Sequence, residues 1–156
     1  MYCEVEDVEN NKGDAQLPSS TDIEAYITRA SEDIDAAVSE RYVVPITTSN
    51  VQTVNILKAV SADLSAGRMI LALAMASEDN NLQSYGRSLI SRAIEGDNKR
   101  GTVGLRELRE GTFVLPDATL NVSVSSAAQF SIRITSPEPQ TGVDKSYFEY
   151  FYKAFK

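Results

Sequence analysis

Residues 51–77, VQTVNILKAVSADLSAGRMILALAMAS, are the most apolar stretch of the chain and constrain its fold more than any other. Wound at about 100° per residue, they leave one narrow polar sector, near Asn55, Lys58, Ala62, Ser65 and Met69. A helix apolar almost all round must be covered on most sides, so the rest of the chain is expected to wrap around it. Gly67 lies inside it at a cost of about 1 kcal/mol against alanine. A close helix approach among the small neighbours Ser65 and Ala66 is the expected compensation. No apolar run is read as approaching the roughly 20 residues of a membrane span, so no membrane partner is expected.

Two further helices suit that covering role. Thr21 with Glu24 three residues on forms a capping box, and Asp22 suits the positive helix end. The helix it opens, predicted to run to about Tyr42, carries an apolar stripe of Ile23, Tyr26, Ile27, Ala30, Ile34, Ala37 and Val38. Arg41 falls in the middle of that stripe, and Pro45 prevents continuation. A third helix is predicted over 82–95, with Leu82, Tyr85, Leu89, Ala93 and Ile94 inward and Gly96 as its C-cap. Beyond it, glycines at 101, 104 and 111 punctuate a segment read as irregular. FVLP (113–116) reads as β, and TLNVSVS (119–125) with QFSIRITS (129–136) as a hairpin. The fold class is therefore mainly α: a bundle of three or more helices with a C-terminal β-hairpin extension and a short aromatic terminal helix or arm. The expected divisions are a helical domain at 1–116, the hairpin at 117–136, and linker plus arm at 137–156.

Composition excludes much chemistry. Histidine is absent, which removes the commonest general base and metal ligand together with Ser-His-Asp and Cys-His pairs. One cysteine, Cys3, can form neither an internal disulfide nor, with carboxylates alone, a credible zinc site. No enzyme activity, cofactor or metal is expected. Gly101-Thr102-Val103-Gly104 has the spacing of a phosphate loop but lacks the lysine-serine ending and a preceding strand. Glu32, Asp33 and Asp35 spread over a solvated helix face at helical spacing.

Charge is segregated. Net charge is −7, and residues 1–40 hold eleven acids against Lys12 and Arg29. From 87 to 109 the sign reverses, with Arg87, Arg92, Lys99, Arg100, Arg106 and Arg109 against Glu95, Asp97 and Glu107. Glu32 and Asp33 of one copy facing Arg87, Arg92, Lys99 and Arg100 of another would make a subunit interface. Tight, sequence-specific DNA binding is disfavoured. Two further features point to docking rather than catalysis. Asp63, on an apolar sector of the central helix, is the expected partner of Arg41 in a buried pair that fixes helix docking. The terminal YFEYFYKAF places Phe148, Phe151, Tyr152 and Phe155 on one helical face, with Tyr147 beside them, as a partner-docking arm set apart by the linker PEPQTG.

Met1-Tyr2 with Glu6-Asp7, then Asp35 with Arg41-Tyr42 and Pro45, then Ala62-Asp63 form an ordered set of motifs. In this order they resemble the small head–tail connector proteins of tailed bacteriophages, adaptor or head-completion subunits related to a Mu-like prophage family. The resemblance covers about two thirds of the chain, and the hairpin and aromatic tail lie outside it. It implies a dodecameric ring beneath the portal protein, located in the virion neck and assembled in the host cytoplasm. That ring would contact a head-closure or tail protein, and DNA would pass through it without sequence-specific binding. A head-closure or tail-terminator role is a neighbouring alternative. An acidic regulatory module that binds basic proteins is an alternative of another class.

Overall fold

The computed structural model describes residues 1–97 and 101–121 of the 156-residue chain. Five helices occur among the described residues: α1 (Val5–Asn11), α2 (Ile23–Val38), α3 (Val51–Ser77), α4 (Asn80–Glu95) and α5 (Leu105–Glu110). The protein is mainly helical. The hairpin after Asn121 and the aromatic arm lie outside the described residues, as do Lys99 and Arg100.

α3 is the axis of the fold, and α1, α2 and α4 all pack on it. Asn50 caps its start, with Oδ1 accepting from Gln52 N and Thr53 N, and Glu78 closes it in the left-handed conformation. Every residue from Ser61 to Gly67 is buried. By length and composition α3 is apolar enough to cross a bilayer, which revises the expectation that no segment approaches that length. Here 61% of its most apolar window is covered by the rest of the molecule, as a core helix requires.

The core divides along α3. Its first half, through Leu57, Val60 and Leu64, meets Ile34 and Val38 of α2 and Tyr42 of the turn after it, together with Leu105, Leu108 and Leu115. Its second half, through Ala66, Met69 and Ile70, meets Cys3, Val8, Ile27 and Leu89. Each fully buried Leu or Ile contributes about 1.5–3 kcal/mol relative to exposure. Where α3 crosses α4, Gly67 faces Gly86. A Cβ at Gly67 would lie 2.8 Å from Gly86 O, and one at Gly86 would lie 2.9 Å from Gly67 O. The backbones touch there, which accounts for a glycine in the middle of the best-buried helix.

Other expectations need correcting. The cap of α2 is Asp22, whose Oδ1 accepts from Ala25 N at 3.1 Å, one residue beyond the predicted Thr21. α2 also ends at Val38 instead of Tyr42. Val38 O accepts from both Arg41 N and Tyr42 N at 2.9 Å, so the chain tightens into a turn. FVLP is not a strand: only Leu115 of it is fully buried, and Leu115 N donates to Tyr42 Oη at 3.0 Å. Residues 119–121, the described part of the predicted strand at 119–125, make an isolated bridge to the turn after α2. Leu120 bridges Tyr42 antiparallel, Val43 N donates to Thr119 O at 2.9 Å, and Asn121 N donates to Arg41 O at 2.7 Å.

Candidate functional site

A polar trough of about 490 Å³ lies between α1, the exposed side of α3, α4 and Thr102. Two ion pairs line it. Asp63, only 5% exposed, receives Arg92 of α4 in a two-pronged contact, Nε to Oδ2 at 2.5 Å and Nη2 to Oδ1. Asn11 Nδ2 of α1 donates to Asp63 Oδ1 at 2.8 Å. One buried carboxylate thereby joins three helices. The Asp63 hydrogen bond raises the affinity of the Arg92 guanidinium for its proton. Lys58 of α3 meets Asp7 of α1 at 2.9 Å. Partial burial pushes the Asp7 carboxyl up, but the Glu4 N–H and the Lys58 ammonium outweigh it and hold that carboxyl below its usual range. Lys58 is raised in turn, chiefly by its hydrogen bond to Asp7.

The predicted Arg41–Asp63 pair does not form. Asp63 is the charge in the apolar sector that the sequence marks, but its cation comes from α4. Because α2 stops at Val38, the buried position three or four residues on passes to Tyr42, 1% exposed, and Arg41 swings to the end of α5. There Arg41 Nη1 lies 3.4 Å from Glu110 O, and the guanidinium covers Gly111, where a Cβ would overlap it. A cation at the carbonyl end of a helix is favourably placed. Arg41 Nε is buried and has no hydrogen-bond partner among the described residues.

The residues expected at a subunit interface separate into two groups. Asp33 pairs with Arg68 of α3, and Arg92 with Asp63, so both already serve the fold of their own subunit. Glu32 on α2 and Arg87 on α4 are exposed on helices that flank α3. Asp35 takes a third direction. Tyr2 Oη donates a short hydrogen bond to Asp35 Oδ1 and accepts from Ile46 N at 2.8 Å, while Tyr2 N donates to Ser31 Oγ at 3.2 Å. Burial and the Asp35 carboxylate push the Tyr2 phenol well above its ordinary range. Glu32, Asp33 and Asp35 therefore do not converge on a common point, and no group of three or more potential metal ligands occurs among the described residues. Cys3 is buried, and burial raises its thiol.

Sequence reasoning missed α1 and α5. The signal for α1 is Glu4 followed three residues on by Asp7, whose Oδ2 accepts from Glu4 N at 2.9 Å. For α5 it is Leu105 and Leu108 bracketed by Gly104 and Gly111, with Glu107 Oε2 accepting from Gly104 N at 3.1 Å. Comparison with protein-family models, with curated proteins and with solved structures found no match.

Proposed function

We propose that this chain is a structural head–tail connector subunit that oligomerises into a ring under a phage portal and extends the DNA channel towards the tail. One observation carries the reading. The polar residues through which the resemblance enters are bonded to other elements of the fold, so they serve as a scaffold. Tyr2 bonds Asp35 and the backbone of Ile46, just past Pro45. Asp7 bonds Lys58, Asp63 bonds Arg92, and Tyr42 holds Leu115. A motif set of this kind specifies a shape. Shape and two different complementary faces are what a head-to-tail ring requires of its subunits.

The exposed charges supply the faces. Glu32 on α2 and Arg87 on α4 are the candidates for contact between neighbours, whereas reversing Arg92 would damage the subunit itself. Electron microscopy of the purified full chain at low and moderate salt tests the reading. Closed rings are expected, and Glu32→Lys with Arg87→Glu, each alone, should reduce them while the pair restores them. Exposed acids on α1 and α2 and at the α1 cap, among them Glu4, Glu6, Glu9, Glu24 and Glu32, favour one second reading, a module that binds a basic protein. Particles that stay monomeric at every salt and capture such a protein in a salt-sensitive way would replace the connector reading with that one.

A further inference from the structure

The polar trough has an apolar continuation. Val51, Ile56, Ala59, Val103 and Phe113 line a groove of about 590 Å³, contiguous with the trough through Asn55, Ala59 and Thr102. Val51 is 71% exposed at its mouth, on the first turn of α3, where Val54 is exposed as well.

The chain carries a segment suited to fill it. Phe148, Phe151, Tyr152 and Phe155 recur at helical spacing, and each aromatic buried would remove roughly 150–250 Å² from water. The chain also passes the groove shortly before its last described residue, Asn121, which is bonded to the turn after α2. Thr53 Oγ1 donates to Pro116 O at 2.6 Å and Asn50 Nδ2 to Asp117 Oδ2 at 3.2 Å, which holds 116–117 against the turn that carries Val51. Between Asn121 and Tyr147 the connection can extend to roughly 80–90 Å, ample for a return. Charge matches as well: Lys145, Lys153 and Lys156 flank the aromatics, and the exposed Glu4 and Glu6 lie near Lys58 at the trough end. A tether of this kind holds its cargo at an effective concentration on the order of millimolar, above that of any second copy in dilute solution.

We propose that the aromatic face of residues 147–155 docks in this groove of its own chain, with its lysines towards Glu4 and Glu6 near the trough end. The inference goes beyond the connector reading and stands or falls without ring formation, since it concerns the free subunit.

The chain contains no tryptophan, so Phe151→Trp gives a single reporter in the full-length protein. Its emission is expected to be blue-shifted and several-fold less quenched by acrylamide than a free indole, equally at low and high protein concentration. Ala59→Arg, at an exposed position between trough and groove, should return it to the free value with an unchanged far-UV spectrum. Val51→Lys, at the mouth, should do the same should Ala59→Arg disturb the fold. A fully quenchable reporter in the parent overturns the proposal, as does protection that survives both groove substitutions. Protection that grows with protein concentration overturns it in favour of a second copy's arm.

Discussion

Two arginines enter the interior of this molecule and are received differently. Arg92 meets a buried carboxylate with two donors, and Asn11 occupies part of the remaining acceptor capacity. Arg41 meets one backbone carbonyl at 3.4 Å, covers a glycine, and leaves Nε buried without a partner among the described residues. The first contact is a specification: it states which helices meet and at what height, and cutting it strands a charge. The second is a fit, in which a long stem and a planar head fill a space that the α2 turn and the α5 terminus leave between them. An intruding charge in an apolar stripe therefore does not declare its own role. The partner's geometry does.

The comparison is broken most severely at Asp63. Asp63→Ala should cost about 3 kcal/mol in chemical denaturation, because it strips the partly buried Arg92 guanidinium of its carboxylate partner. A double-mutant cycle with Arg92→Ala should show strong coupling, while the cycle of Asp63→Ala with Arg41→Ala should be additive. Coupling of Asp63 to Arg41 in place of Arg92 would reverse the assignment of partners. Gly111 sharpens the other side. It sits at φ +74°, where holding a residue other than glycine costs about 1–3 kcal/mol, and its Cβ would also strike the guanidinium. Gly111→Ala should accordingly be less damaging in an Arg41→Ala background than alone, and equal losses in both would remove the steric account.

The smallest effect is at the N-terminus. Tyr2→Phe forfeits the hydrogen bonds to Asp35 and Ile46 N, about 1 kcal/mol net. Its pH signature is distinctive. Because folding raises the phenol above its ordinary value of 10.0, the folded state holds that proton longer than the unfolded one. The Tyr2 contribution is thus fully present below about pH 10 and declines as alkali rises beyond it. Titrating stability from neutral to strongly alkaline pH should show a steeper loss in the parent than in Tyr2→Phe, and parallel curves would dissociate Tyr2 from the effect.

Legibility in the sequence followed the length of the signal. The bounds of α3, its role as the covered axis, the meaning of Gly67 and the cap at Gly96 could all be read, because each rests on a long period or on a residue type with one dominant use. α1 and α5, of seven and six residues, carry too few turns for periodicity and take their stability from Val8, Leu105 and Leu108 pressed into the core. The Arg41 error came from extending the α2 period past the point where Val38 closes the turn. Three residues of overrun rotate a side chain to a different neighbour. Asp63 was recognisable as misplaced, yet sequence alone could not choose between cations on two helices that both flank α3.

The short ladder between 41–43 and 119–121 sets a load path. Tension applied to the chain beyond Asn121 is carried first by the bonds Asn121 N to Arg41 O and Val43 N to Thr119 O. It thus enters the turn after α2 and bypasses α5, the nearest helix in sequence. From there it reaches α2, the helix to which Tyr2 fastens the N-terminus. The two ends of the described chain are in this way anchored to one helix, and a pull on the C-terminal segment is resisted by the element that also holds the N-terminal residues.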